Sequence, residues 1–363
     1  METASSSGLE GVNAANTAIS HVDGEQGRLV IAGFDAEQLA QVATFEQAAQ
    51  RVLAAGRAAP VDLTPAQLAQ ARIRAWELLP RLGDALDAAD GMDALRASLA
   101  HLRATSARGE GYDDLADAIT AIGAAPVFAA AWSRKQRGLV PVGPSAELDH
   151  ASDYLRMTTG ATPAPAAAKA LGAYLVTVSD HGMNASTFTA RVVASTASDL
   201  ISAVVAAVGA LKGPLHGGAP GPVLDMLDAI GAPANAEAWL LGELAAGRRI
   251  MGMGHRIYRV RDPRAAVLEV AVKPLSTPNL ELAHAVETAA AKILRERKPD
   301  RPLAANVEFY TAVLLDAVGL PRGQFAPTFA VGRVAGWSAH VLEQRRVGKL
   351  IRPASTYVGP MPS

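Results

Sequence analysis

Three of the eight histidines sit in loops whose neighbours are small. His181 lies in Asp180-His181-Gly182-Met183-Asn184-Ala185-Ser186, His216 in Gly213-Pro214-Leu215-His216-Gly217-Gly218, and His255 in Met251-Gly252-Met253-Gly254-His255-Arg256. Small residues let backbone and ligand approach closely. One such loop reads as an ordinary turn; three together read as a site. Arginines add a second signal. Arg256, Arg259, Arg261 and Arg264 crowd the segment after His255, Arg333 has Gly332 and Gly336 as neighbours, and Arg352 lies in Ile351-Arg352-Pro353. A guanidinium pairs bidentately with carboxylate or phosphate, so the cluster beside the glycine loop suits anionic ligands. Arg261, Arg345 and Arg346 read instead as a solvated basic face. Finally, Glu308 stands in the mostly apolar Asn306-Val307-Glu308-Phe309-Tyr310. Alone it reads as a partner for a helix dipole. Beside imidazoles and guanidinium groups it becomes a candidate for proton abstraction in a dry pocket.

The remaining histidines carry less. His101, His284 and His340 fall within helical patterns and read as exposed or as satisfied core groups. His21 and His150 have no telling context. Gly252-x-Gly254 lacks the third glycine of a dinucleotide loop, and no strand precedes it. There is no phosphate-loop Gly-Lys-Ser/Thr, no His-Glu-x-x-His and no Gly-x-Ser-x-Gly. The histidine spacings do not suggest zinc.

The elements that must position these groups are helices. Half of the 363 residues are hydrophobic and 5% are aromatic, which argues for a packed core of small-residue helices. Thr44 with Gln47, and Thr64 with Pro65 and Gln67, predict two capped helix starts, and Gly56 predicts a stop. Further helices are expected over 92–103, 112–122, 125–136, 165–178, 199–211, 222–231, 236–246, 280–297, 306–318 and 326–344, with Asn235 as one cap. A short strand is expected between Gly27 and Phe34. No strands alternate with helices, so a parallel sheet is not expected.

Lys and Arg number 34 against 35 Asp and Glu, a net charge of −1, so no global field favours nucleic acid or an anionic membrane. The absence of cysteine removes disulfides, thiolate metal sites and a cysteine nucleophile. Met1 to Gly11 lacks the features of a signal peptide. The longest strongly apolar stretch, Leu200 to Leu211, is short of the ~18 residues that span a bilayer. A soluble, cytoplasmic protein is expected.

Together these segments resemble the citrate synthase family, including 2-methylcitrate synthases. The resemblance rests on the three histidine loops, Asp262-Pro263-Arg264, Asn306 to Tyr310, and Val331-Gly332-Arg333, in the family's order. Ala18 to Gly24 and Arg352-Pro353 fit as well. It implies an all-α homodimer with a large domain (1–217 and 321–363) and a small CoA-side domain (218–320) that closes over substrate. It implies condensation of acetyl-CoA with oxaloacetate to citrate and CoA, with no metal or redox cofactor. On this pattern Glu308 is the base, His216 steadies the thioester oxygen, and His255 polarises the oxaloacetate carbonyl. His181, Arg264, Arg333 and Arg352 would hold carboxylates, with Arg352 contributed across the dimer interface. Met251, Gly252, Met253, Gly254, Arg259 and Asn306 would face CoA. Asn184 and Ser186 would orient His181 or His216.

The sequence departs from the family pattern at several positions. Glu308 replaces a common Asp, Val178 a common His, and Ala32 a common Arg. Ala354 to Tyr357 is less basic than in relatives. Two rivals stand beside citrate synthase: a 2-methylcitrate synthase using propionyl-CoA, and a catalytically impaired homologue that binds CoA or tricarboxylate.

Overall fold

The computed structural model describes residues 9, 11–104, 114–216, 220–297 and 303–362. Gly217, Gly218 and the expected helix start at Tyr112 lie outside them. Among the described residues are fifteen α-helices and one three-stranded sheet. The sheet is an antiparallel meander in the order β1 (Ser20–Asp23), β2 (Arg28–Ile31), β3 (Phe34–Asp35). His21 faces Val30 and Ile31 faces Phe34. The strand expected between Gly27 and Phe34 is β2.

After α1 (Ala36–Val42), both expected capping boxes form, at α2 (Phe45–Arg57) and α3 (Pro65–Trp76). Thr44 and Thr64 accept from the N–H of Gln47 and Gln67, and each glutamine accepts from the threonine N–H. Gly56, expected as a stop, lies inside α2. A Cβ there would stand 2.2 Å from Ala339 O, so this glycine serves close helix packing rather than termination. Next come α4 (Gly91–Leu99) and α5 (Asp114–Gln136).

Two helices expected on either side of Ala124 are one, α5. Pro126 lies inside it, at a cost of ~3 kcal/mol in an isolated helix. Packing outweighs that cost: every residue from Ala121 to Ser133 is buried. By length and composition α5 could cross a bilayer, yet 78% of its apolar window is covered by the protein itself, as befits a core helix.

The chain continues through α6 (His150–Thr159), α7 (Pro165–Thr177), α8 (Ala185–Ser195), α9 (Leu200–Leu211) and α10 (Pro220–Ile230). Then follow α11 (Ala236–Ala245), α12 (Pro263–Val272), α13 (Pro278–Arg297), α14 (Val307–Ala317) and α15 (Phe325–Val347). Asn235, expected to cap α11, makes no cap bond; its amide donates to Ile230 O at 3.0 Å and closes the preceding turn instead. α15 is the central strut, buried almost throughout from Phe325 to Gln344 and packed on α2, α5, α8 and α9. α10 to α14 pack on one another, and α12 also reaches α1 and α7.

The core holds buried charge. Arg72, fully buried, donates to Asp153 at 2.7 Å and to Leu148 O at 2.8 Å. His150 stacks on Phe45 and is held neutral by burial and then by Arg72. Arg72→Ala would strand the Asp153 carboxylate without its main cation. Denaturant unfolding should show a loss of about 3–5 kcal/mol. A loss below about 1 kcal/mol, the surface range, would contradict this reading.

Candidate active site

The site is built where helices begin or break. After α7 the chain turns through Val178 to Gly182, and Gly182 takes φ +60°. Its N–H donates to Ser20 Oγ at 2.8 Å and Asp180 Oδ2 at 3.1 Å, and Ser20 Oγ also donates to Asp180. The turn lies hard against α15. A Cβ on Gly332 would stand 2.5 Å from Val178, and one on Gly336 2.1 Å from Ser179 O. These glycines admit the turn that carries His181 and bring Arg333 beneath it.

Arg333 is 1% exposed. Its Nε donates to Val178 O at 2.6 Å, while its Nη2 is buried with no partner. Burial pushes its pKa down to about 10. An unpartnered buried N–H is costly, and an arriving anion would relieve it.

α8 begins at the Asn184 cap, which accepts from Thr187 N–H at 3.1 Å. Ser186 Oγ lies 2.8 Å from both Asn184 Oδ1 and His216 Nε2, and Trp337 Nε1 donates to it at 3.1 Å. The Ser186 backbone N–H also points at His216 Nε2, at 3.3 Å. Ser186 thus holds the ring at Nε2 through both its hydroxyl and its backbone. Burial, then Arg333, lowers the His216 pKa to about 4, so the ring is neutral.

His255 follows a loop stapled to the start of α14. Gly254 N–H donates to Ala304 O, Asn306 N–H to Gly252 O, and Asn306 Nδ2 to Gly254 O, at 2.7, 2.9 and 2.8 Å. Gly252 (φ +72°) has no room for a side chain, since a Cβ would meet Phe309 at 2.8 Å. The N–H groups of Ile257 and Tyr258 both donate to His255 Nδ1, at 3.0 and 3.1 Å. The neutral ring therefore carries its proton on Nε2. Burial, then Arg264, lowers its pKa to about 4.

Asp262 joins these parts. It caps α12 through Arg264 N–H and holds the Arg264 guanidinium in two bonds, at 3.0 and 2.7 Å. Its Oδ2 also accepts from Val307 N–H at 3.2 Å, tying α12 to α14. Asn306 caps α14 by accepting from Glu308 N–H at 3.0 Å. Glu308 thus stands in the first turn with Oε2 buried and unpartnered. Burial raises its pKa to about 7, with Arg264 opposing and Asp262 assisting. The ~0.3–1 kcal/mol that a helix N-terminus offers an anion does not offset this.

The pieces converge on His181, which is buried, as is Arg264. The His181 ring lies 5.7 Å from His255, edge to face. Burial, Arg264, Arg333, His255 and His216, in that order, hold its pKa well below the usual range. Glu308 feels Arg264, Asp262 and Arg333. Three neutral imidazoles, two buried guanidinium groups and a carboxyl near its midpoint at pH 7 therefore lie within electrostatic reach of one another.

Other expected residues lie outside this cluster or do something else. Arg352 is exposed on the extended C-terminal tail of the single chain. Arg259 is exposed; its N–H donates to Gly24 O at 2.9 Å, and its guanidinium lies 4.0 Å from Glu25. Met251 is half-buried, and Met253 bridges to Ala305. Arg261, expected on a solvated face, pairs with Glu269 and Glu287 at 2.8 and 2.7 Å, because α12 and α13 bring two acids to it. Sequence reading missed Asp262, Tyr258 and Trp337 as site groups. Only Asp262 had a local signal, an Asp before Pro263 at a helix start.

This arrangement sets acid–base groups beside two buried cations on a helical frame. The family model described as "Citrate synthase, C-terminal domain" matches residues 8–354. "Putative citrate synthase 2" of Mycobacterium tuberculosis is 52% identical over 200 residues, which is 55% of this chain and 54% of that relative. That match thus spans about half of the relative's length. "Citrate synthase" of Deinococcus radiodurans is 36% identical over 97% of this chain and 95% of its own, and "2-methylcitrate synthase" of M. tuberculosis 35% over 97% and 90%. The citrate synthase of Thermoplasma acidophilum, solved with carboxymethyl coenzyme A and oxaloacetate, superposes with a TM-score of 0.86 at 26% identity, covering 98% of this chain and 96% of that one. The chain belongs to the citrate synthase family, a family of acyltransferases.

The raised Glu308 pKa has a thermodynamic sign. The folded state binds this proton more tightly than the unfolded chain does, so stability falls as pH rises from the unfolded value through about 7. Glutamine does not titrate. Glu308→Gln should therefore gain stability over the parent at pH 8, by about 1–3 kcal/mol, and not at pH 5. A melting difference that stays constant between those pH values would exclude a buried, proton-retaining Glu308.

Proposed function

We propose that this chain condenses acetyl-CoA with oxaloacetate and hydrolyses the resulting citryl thioester to citrate and CoA. The observation that carries this is Glu308: a half-buried carboxyl whose Oε2 is buried and unpartnered, with a pKa of about 7, near neutral imidazoles and two buried cations. Oxaloacetate is doubly anionic and fits between Arg264, Arg333 and His181. The unpartnered Arg333 Nη2 supports that placement.

Glu308 takes a proton from the thioester methyl, and the C–H electron pair moves into the enolate. His216 donates an N–H to the thioester oxygen as charge builds there. The enolate carbon attacks the oxaloacetate ketone, whose π pair moves to oxygen, and His255 donates from Nε2 to that alkoxide. A donor already aimed at developing charge is worth roughly 2.7–4 kcal/mol. Neutral imidazoles suit both tasks, since an extra cation would have to be buried beside Arg264 and Arg333. Water then cleaves the thioester. The CoA arm lies along Met251 to Gly254, with Arg259 on its phosphates. Asn306 shapes that wall, since its amide holds Gly254 O and its carbonyl caps Glu308. Closure of α10 to α14 over the pocket would dry it before proton abstraction.

A second reading, 2-methylcitrate synthesis from propionyl-CoA, is favoured by the equal likeness to a relative bearing that name. One methylene is worth only ~1–3 kcal/mol in an apolar pocket. CoA release measured with oxaloacetate and a series of short acyl-CoAs decides; the highest kcat/KM should fall on acetyl-CoA, and a propionyl-CoA maximum reverses the order. Binding of both ligands without CoA release would instead indicate an impaired homologue. For the active enzyme, kcat/KM for acyl-CoA should rise with pH through about 7 as Glu308 ionises. Glu308→Gln should lower kcat by roughly 10²–10⁴-fold and spare oxaloacetate binding.

Arg352 enters the proposal as a carboxylate ligand from the partner of a homodimer. Arg352→Ala and Glu308→Gln subunits, each inactive alone, should regain CoA release when mixed and reassembled, because one hybrid site keeps both groups. No recovery in verified hybrids would remove Arg352 from the shared site.

A further inference from the structure

Tyr258 belongs to none of the chemistry assigned above, yet it touches two of the three imidazoles. It is 2% exposed. Its hydroxyl lies 3.1 Å from His181 Nε2, and its backbone N–H donates to His255 Nδ1 at 3.1 Å. Its ring centroid stands 5.6 Å from that of His181 and 4.8 Å from that of His255. The Arg264 guanidinium sits 6.0 Å over its face. The residues on either side are pinned by the β1–β2 hairpin: a Cβ on Gly24 would stand 2.4 Å from Ile257 O, and Arg259 N–H donates to Gly24 O.

We propose that Tyr258 is a positioning residue that sets the tautomers of both histidines, His255 through its backbone and His181 through its hydroxyl, so that both rings offer an N–H to the same bound anion. This rests on the assignment of oxaloacetate to the pocket. Either atom of the His181–Tyr258 pair could in principle donate. The surroundings decide between them. Arg264 and Arg333 flank His181, and the unpartnered Arg333 Nη2 calls for an anion. A neutral imidazole has one N–H and one lone pair. With Tyr258 donating to Nε2, the proton sits on Nδ1, and the free nitrogen is a donor. With Nε2 donating, the free nitrogen would turn a lone pair toward a carboxylate. The phenol is able to donate, because burial raises its pKa and it keeps its proton. His255 shows the same logic, with two backbone N–H groups on Nδ1 leaving Nε2 as its donor.

Tyr258→Phe keeps the ring that packs on His255 and removes only the hydroxyl. Oxaloacetate KM should rise roughly tenfold, the worth of one hydrogen bond at the upper end of its usual range. Acyl-CoA KM and kcat at saturation should stay within about threefold, a split that general damage to the pocket would not produce. Long-range ¹H–¹⁵N correlation spectra of histidine-labelled protein, recorded without substrate, read the tautomer directly. His181 should be protonated on Nδ1 in the parent and lose that preference in the variant. An unchanged oxaloacetate KM overturns the proposal, and so does an unchanged His181 tautomer. If the parent releases no CoA with any acyl-CoA, the functional reading fails, and the tautomer measurement still decides Tyr258.

Discussion

The structure depends on two positive charges being held inside a helical protein. Arg264 shares Asp262, but Arg333 has one carbonyl and an unpartnered Nη2. A buried guanidinium cannot shed its charge readily and must be solvated by the protein or by what it binds. Together with burial, that constraint bears on the protonation of the groups nearby. It helps keep His181, His216 and His255 neutral, so that each offers one N–H rather than a further cation. It also opposes the rise in the Glu308 pKa that burial causes, and the balance lies near neutrality. Groups of opposite preference therefore coexist: imidazoles that stay unprotonated and a carboxyl that is half protonated near neutrality.

Placement of these groups is the work of helix ends. Asn184, Asp262 and Asn306 each cap a helix, and each has a second bond that reaches another part of the site. Asn184 meets the Ser186 that holds His216; Asp262 grips Arg264; Asn306 fastens the loop before His255. A cap side chain has spare hydrogen-bonding capacity once the first turn is satisfied. Here that capacity orients the chemistry. Behind the His181 turn a second layer of charge continues outward. Asp180 lies 3.2 Å from His340, His340 Nδ1 is 3.0 Å from Arg191, and Arg191 pairs with Glu343. Glu343 in turn accepts from Ala18 N–H at 2.8 Å, so the segment before β1 is tied to the back of the site.

Much of the fold was legible because its signals are local. Capping boxes at Thr44 and Thr64 and the apolar run from Leu200 to Leu211 each predict their helix from a few neighbouring residues. Errors arose where tertiary packing overrode a local rule. The stretch around Ala124 reads as a gap between two helices but lies in one helix wrapped on every side; Gly56 reads as a stop but is a contact point for α15. α1, α6, α8 and α12 were not predicted, since their apolar faces are short and the caps of the last three follow loops. Two of these, α8 and α12, carry site residues at their first turns.

The sequence by itself determined the chemical inventory: imidazoles beside glycines, guanidinium groups near a loop, and one acid in an apolar run. Residue type and spacing suffice for that, because reactivity belongs to the side chain and close approach to the small neighbours. Only the tertiary structure decided which donors surround each imidazole, which arginine lacks a partner, and that Asp262 and Tyr258 belong with them. Those properties depend on burial and on donors supplied from segments such as Ser20, Ser186 and Val307, distant along the chain, and no local pattern encodes them.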